Sequence, residues 1–399
     1  MRIKNVLIVG NSNNESFRIA KYLEIINIKS TLIFFSRNNL DNPASVKNVF
    51  QKNKIATFEP WLIESDEDVM QNFSFFKDRI RPLAHQADLI IANQFSAALL
   101  IDFAAKMIIL NTGSDLTYYC SPDFIKLRTN SWTVDFAKSS FSKSLIDKYK
   151  EFQMNQILGY QGSIGIITAD KNLSRSIDNN LKLIECEGKE RFKLITGVNL
   201  TKFEPKVPRR RKLFSRSYFK VVVGSRLESS MTANSDLDDK GSDKLLNYIE
   251  FALKHNFNGI FTLFSKGSLS QLFMQRLEPF VSINKVNFLP ELSYYKFLRV
   301  INDSDLVIDS LGSSIPSRVS HDSLSLLKPV ISNLEKEKKL LRYGETNLSL
   351  FSINDEIDFL DTINSLGRAK FETESNLSEI LQVFDPLNQI KNILNRINF

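Results

Sequence analysis

A chain of 399 residues is too long for one ordinary hydrophobic core and predicts two domains of roughly 200 residues each. Its 43% hydrophobic and 24% charged residues are those of a soluble globular protein, and no apolar run reaches the roughly 20 residues that span a bilayer. The spacing of Cys120 and Cys186 and the scatter of His85, His255 and His321 indicate neither a disulfide framework nor a metal site. The formal charge of +7 fits an anionic partner, although nothing resembles a nucleic-acid-binding motif.

In chain order, the N-terminal stretch MRIKNVLIVGN has too short an apolar run for a signal peptide, so a cytoplasmic location is expected. Val6 to Val9 reads as an apolar strand and Gly10 to Asn14 as a polar turn. Ser16 to Ile25 reads as a helix, with Phe17, Ala20, Leu23 and Ile26 spaced for one face. Ser30 to Phe35 gives a second strand. This opening resembles a nucleotide-binding βαβ start, but only Gly10 stands where a dinucleotide fingerprint has three glycines, which argues against a nicotinamide or flavin enzyme. Phe73 to His85 is helix-like, Ala87 to Asn93 a strand that stops at a polar residue, Ser96 to Lys106 a helix and Met107 to Leu110 a strand. Ser163 to Thr168, Lys171 to Leu183 and Phe192 to Thr196 repeat strand, helix, strand. Unbroken apolar strands between helices predict an α/β fold whose parallel sheet is covered on both faces.

Composition shifts at Glu204 to Lys220, where two prolines and the cluster Arg209, Arg210, Arg211, Lys212 mark a linker. Those arginines read either as a solvated loop or as a contact for anionic lipid. A second alternating set follows: Val221 to Gly224, helix Lys240 to His255, strand Gly259 to Phe264, helix Ser270 to Leu277, strand Val286 to Leu289 and helix Tyr294 to Asn302. The predicted division is a Rossmann-like domain at 1–205, a basic linker at 206–220 and a second Rossmann-like domain at 221–375. A C-terminal helix within 376–399 is expected to pack back on the first domain. Two such domains facing a cleft suit the joining of two substrates.

The stretch Ser304 to Ser332 is the most informative. An apolar strand, Leu306 to Ile308, ends in Asp309, a small-residue loop runs from Ser310 to Ser317, and a helix is expected from Arg318 to Leu327 before Pro329-Val330-Ile331. Loop amides and a helix N-terminus there favour an anion, although an ordinary βαβ scaffold gives the same pattern.

Four segments in order resemble nucleotide-sugar-dependent glycosyltransferases of the GT-B fold, the family 4-like retaining group (glycosyl transferases group 1). Gly197 to Pro205 resembles "GVDxxxFxP", and Ser225-Arg226 with Lys240-Gly241-Ser242-Asp243-Lys244-Leu245-Leu246 resembles "R…KGxDxLL". Val286 to Pro290 resembles "VxFLP", and Asp305 to Ser332 resembles "DIVIDQ…G…LEAMALGKPVI". The resemblance covers roughly residues 160 to 335. It implies a metal-independent transferase moving a sugar from a nucleotide diphosphate-sugar to a hydroxyl acceptor, with retention and without a further cofactor. Its donor-side catalytic cations are Arg226 and Lys240, each of which also reads as ordinary surface charge. Gly10, Lys266, Gly267, Ser314, Ser317 and Asp322 fall at donor-binding positions; Gly10 and Lys266-Gly267 also read as plain strand-ending turns. Gly113-Ser114-Asp115-Leu116 resembles "HGSDL", placing Gly113 and Asp115 on the acceptor side, where Asp115 either orients an acceptor hydroxyl or caps a turn. The implied acceptor is a glycan or lipid-linked glycan of surface polysaccharide assembly, with peripheral contact to the inner face of the membrane.

Departures accompany the resemblance. Ser314 stands where the family has its first glutamate, Asp322 replaces the second, Thr112 replaces a histidine, and Ser314 and Ser317 take glycine positions around Pro316. They leave open a catalytically degenerate module that binds a sugar nucleotide. A nucleotide-sugar epimerase, with His321 and Asp322 as acid–base groups, is a further alternative.

Overall fold

The computed structural model describes residues 3–35, 56–61, 66–130, 135, 138–198, 218–228, 240–312, 315–368, 380 and 382–397. The chain forms two compact units, Met1–Leu194 with Pro386–Phe399, and Ile195–Asp385. The arginine cluster at 209–211 and Ser314 lie outside the described residues.

In the first unit β1 (Asn5–Val9), α1 (Glu15–Ile25), β2 (Lys29–Phe35), β3 (Ala56–Trp61), α2 (Asp66–Gln71), α3 (Phe73–Gln86), β4 (Leu89–Asn93) and α4 (Ser96–Leu99) come first. They are followed by β5 (Met107–Leu110), α5 (Ser114–Thr117), α6 (Phe124–Thr129), α7 (Ser140–Gly162), β6 (Gly165–Ile167), α8 (Arg175–Leu183) and β7 (Glu190–Phe192). The strands form one parallel sheet in the order β3-β2-β1-β4-β5-β6-β7. Val6 to Val9 and all of β4 are buried, as strands covered on both faces require. Pro60 sits in the edge strand β3, where a missing amide donor is tolerated.

Several elements differ from the periodicity. The helix expected over Ser96 to Lys106 is α4 followed by a 3₁₀ segment, Ile101–Lys106, with non-helical backbone at Phe103. Apolar spacing alone does not separate the two windings. Instead of Phe192 to Thr196, the last strand is Glu190–Phe192, because pairing with β6 ends at Phe192. The 23-residue α7, capped by Ser139 accepting from the Ser142 amide at 3.1 Å, has no counterpart in the sequence reading.

The second unit contains β8 (Phe219–Val223), α9 (Ser242–Lys254), β9 (Gly259–Phe264), α10 (Ser270–Val281), β10 (Val286–Leu289) and α11 (Tyr294–Asn302). Next come β11 (Leu306–Ile308), α12 (Arg318–Ser325), β12 (Val330–Ile331), α13 (Lys336–Tyr343), β13 (Leu350–Phe351) and α14 (Glu356–Arg368). Its six strands are parallel in the order β10-β9-β8-β11-β12-β13, around a core that includes Val221, Leu245, Ile249, Phe261, Ile308 and Phe359. Helix α12 stops at Ser325 because Leu327 takes the left-handed conformation, φ 60°, and the Leu327 and Lys328 amides bond back to Leu324 and Ser323. The resembled motif has glycine at that position.

Helix α15 (Pro386–Ile397) belongs to the first unit, and its Ile390, Ile393 and Leu394 border a small apolar gap with Ile19 and Leu23 of α1. Pro386 opens it, the first-turn position where a missing N–H is harmless. No helix among the described residues is long and apolar enough to cross a membrane.

Candidate functional site

In open parallel sheets, ligands bind beyond the carboxyl ends of the strands where the strand order reverses. Each unit has such a point, β1/β4 in the first and β8/β11 in the second.

In the second unit three loops meet there. After β8, the Gly224 amide donates to Ile308 O at 2.9 Å, and a Cβ on Gly224 would lie 2.4 Å from Val319 Cγ1. Glycine therefore lets α12 approach. The Ser225 hydroxyl is buried and has no hydrogen-bond partner among the described residues. Ser242, in the first turn of α9, fastens the loop: its hydroxyl donates to Arg226 O at 3.3 Å and accepts from the Glu228 amide at 3.1 Å. The Arg226 side chain is exposed.

Lys240 and Gly241 lead into α9. Lys240 O accepts from the Leu311 amide at 3.0 Å, and Lys240 is half-buried. Gly241 has φ +60°, and a Cβ there would come 2.6 Å from Gly312 N. After β9, the Leu227 amide donates to Lys266 O at 2.9 Å and the Leu269 amide to Leu227 O at 2.8 Å. Gly267 has φ +112°, and its Cβ would fall 2.4 Å from Leu227 O. The Lys266 ammonium pairs with Glu291 at 2.5 Å. Arg226, Lys240, Lys266 and Gly267 are thus on three loops, the β8 and β9 loops joined by backbone hydrogen bonds and the Lys240 loop joined to the β8 loop through the Ser242 hydroxyl.

The fourth piece is the N-terminus of α12. Buried Asp309 accepts from the Ser317 amide (3.1 Å) and hydroxyl (2.7 Å), and from the Ser320 amide (3.3 Å) and hydroxyl (2.5 Å). Ser317 also caps the helix, accepting from the Val319 amide at 3.0 Å. Asp322 is fully buried: Tyr294 donates its hydroxyl to Oδ2 at 2.7 Å, and Arg318 Nη2 lies 2.9 Å from Oδ1, an ion pair without hydrogen-bond alignment. His321 is buried between Tyr343 and Phe384, at ring separations of 6.2 and 5.9 Å. Burial, then the charges of Arg342 and Arg318, push its pKa well below the usual imidazole range.

In the first unit, the tight approach of the β1 and β4 loops requires a glycine. Gly10 has φ +86°, and a Cβ would lie 2.4 Å from Asn93 O. Asn93 is the hub. Its Oδ1 accepts from the Ser12 amide at 2.7 Å, and its Nδ2 donates to Leu110 O at 2.8 Å, Thr112 Oγ1 at 3.0 Å and Asp115 Oδ2 at 3.3 Å. Asp115 is fully buried and accepts from the Thr112 amide through both oxygens at 3.0 Å. Burial, partly opposed by backbone donors, pushes its pKa up to about 7. Gly113 has φ +119°, with open space where a Cβ would be, and its carbonyl accepts from the Leu116 and Thr117 amides at 3.0 Å. Gly10, Asp115 and Gly113 therefore stand on neighbouring loops at one edge of this sheet.

Asn93, Asp309, Ser320, Arg318 and Tyr294 were not singled out from the sequence. Asn93 and Asp309 carried a readable signal, a polar residue ending an apolar strand. Among the described residues no group of three or more His, Cys, Asp or Glu side chains is arranged to hold a metal ion.

No protein-family model matches the sequence, and no curated protein matches it. Solved structures match along the whole chain at low identity. A glycosyltransferase from Rickettsia africae has 16% identity and a TM-score of 0.62, covering 100% of this chain and 99% of its own. A sucrose-phosphate synthase from Thermosynechococcus elongatus has 10% identity and a TM-score of 0.61, covering 99% of each chain. A UDP-GlcNAc 2-epimerase from Methanocaldococcus jannaschii has 12% identity and a TM-score of 0.54, covering 98% of this chain and 99% of its own. At these identities the likeness is one of fold: the chain has the GT-B fold, two Rossmann-like α/β units.

Proposed function

We propose that this GT-B protein is a glycosyltransferase that moves a sugar from a nucleotide diphosphate-sugar to a hydroxyl acceptor. The observation that carries the reading is the loop cluster at β8/β11. Glycines 241 and 267, at positive φ, permit close backbone approaches and Gly224 admits Val319 of α12, and the loops they join bear Arg226, Lys240 and Lys266. Loop amides and the N-terminus of the 13-residue α9 add donors for an anion.

In this reaction the bond between the anomeric carbon and the diphosphate oxygen breaks, and a bond to the acceptor oxygen forms. The departing diphosphate gains charge. Arg226 and Lys240 oppose that charge, a role that needs no metal ion. Retention of configuration follows if the acceptor enters on the face the diphosphate leaves, with the acceptor proton passing to the diphosphate. Gly10, Gly113 and the Asn93–Asp115 hub shape the acceptor side. Asp115, being buried, acts there by holding its loop rather than by touching the acceptor. A glycan or lipid-linked glycan made at the inner membrane face is the acceptor class we assign, with the positive net charge favouring peripheral contact with anionic lipid.

One observation favours a second reading, a catalytically degenerate module: the Ser317 hydroxyl and the Asp322 carboxylate, both at donor-binding positions of the resembled family, are already engaged within the protein. An epimerase draws less support, because its one nearby histidine, His321, is buried and held neutral. Calorimetric titration with UDP, GDP and ADP tests the site itself. At least one binds, and Lys240→Ala weakens it tenfold or more; binding by none of them contradicts the reading.

A further inference from the structure

The chain passes between its units twice, after Leu194 and after Asp385. On the side of the second unit, both passages rest on α12. At the first, Arg318 donates through Nη1 to Thr196 Oγ1 and through Nη2 to Gly197 O at 3.3 Å. The Val198 amide donates to Ser325 Oγ at 2.9 Å, and that hydroxyl donates to Asp322 O at 2.9 Å. Gly197 is pressed between the helix and the second passage, since a Cβ there would lie 2.8 Å from Ser325 Cβ and 3.2 Å from Phe384 Cδ1. Phe384, one residue before the second passage, packs on His321 of α12 and on Tyr343, at ring separations of 5.9 and 6.4 Å. Thr196, Gly197, Val198 and Phe384 thus lie on the flank and C-terminal end of α12, while its N-terminus is bound to Asp309 through Ser317 and Ser320.

We infer that α12 couples the anion-binding edge of the second unit to both passages of the chain, with Arg318 as the positioning residue that holds the first of them. Asp322 is then a structural counter-charge, fixed by Tyr294, that sets the attitude of the Arg318 fork. It is not free to receive a ribose. A ligand that tightens the Asp309–Ser317–Ser320 contacts tightens Thr196 and Gly197 through Arg318 of the same first turn, and Val198 and Phe384 through Ser325 and His321 further along the helix, and loosening at the passages is felt at the site. The effect on nucleotide rests on the transferase reading; the mechanical link does not.

Perturbing the two passages and reading the Ser317 and Ser320 amides at the helix N-terminus tests this. In the full-length protein, Thr196→Val removes the acceptor hydroxyl and Phe384→Ala removes the ring, leaving the side chains of Asp309, Ser317 and Ser320 unsubstituted. Hydrogen exchange at the Ser317 and Ser320 amides is expected to rise threefold or more in both variants, with β9 and β10 unchanged. The donor KM is expected to rise at least fivefold with a smaller change in kcat, and Arg318→Lys, which keeps the ion pair, retains more affinity than Arg318→Met. Faster exchange at Val198 alone, with Ser317 and Ser320 as in wild type, overturns the coupling. Coupled exchange in a protein that binds none of UDP, GDP and ADP upholds the coupling and removes the transferase reading.

Discussion

Asp115 is the buried acid of the first unit whose protonation changes within the ordinary pH range. Its carboxyl has no contact with solvent, and its pKa rises from 3.8 to about 7 because burial outweighs the donors from Thr112 and neighbouring backbone. The folded chain therefore keeps a proton between about pH 4 and pH 7 that the unfolded chain releases. The resulting stability is complete below the unfolded value and is lost as pH rises through about 7, a change on the order of 4 kcal/mol at most. Denaturant unfolding between pH 5 and pH 8 should show this slope in wild type and lose it in Asp115→Asn. Equal slopes in the two proteins would remove Asp115 as its source. From the sequence, Asp115 was visible as a position but not as a buried acid, because its carboxyl is enclosed with distant Asn93, whose Nδ2 lies 3.3 Å from Oδ2.

At the scale of elements, the glycines explain how the loops reach one another. Gly241→Ala combines an unfavourable φ of +60° with a Cβ 2.6 Å from the backbone of Leu311 and Gly312, so the Lys240 and Leu311 strands of the loop cluster must part. The expected result is a loss of roughly 1–3 kcal/mol in unfolding free energy and at least a tenfold loss in nucleotide affinity. Unchanged affinity would show that the close approach does not shape the site. Helix α15 makes a different prediction. Ile393 is buried beside the apolar gap under α1, so Ile393→Ala should cost about 3 kcal/mol of stability in the first unit. A loss below about 1 kcal/mol would mean that α15 contributes little to that unit's stability. Strands such as Val6 to Val9 and Val286 to Leu289 were legible because apolar runs between turns have few other uses. The 23-residue α7 was not, since its exposed face mixes Phe141, Met154 and Leu158 with lysines and blurs the period.

At the scale of the molecule, two parallel sheets each reverse their strand order once, and Gly10, Arg226 and Lys240 lie on loops beside those reversals. That much followed from the order of short segments, each weak alone. What sequence could not show was which polar groups were already used. Asp322 occupies the position of a hydroxyl-binding glutamate in the resembled family, yet here it is enclosed by Tyr294 and Arg318, residues 28 and 4 positions away. Ser317 likewise serves Asp309 and its own helix. These internal commitments at donor-binding positions make turnover of a bound donor the central question. The most direct measurement is the release of free nucleotide from a panel of UDP-, GDP-, ADP- and dTDP-sugars, with and without glycan acceptors, in wild type and Lys240→Ala. The transferase account predicts nucleotide release from at least one donor by wild type and a rate about a hundredfold lower in Lys240→Ala. Binding without release from any donor, or interconversion of the donor sugar with no free nucleotide, would contradict it.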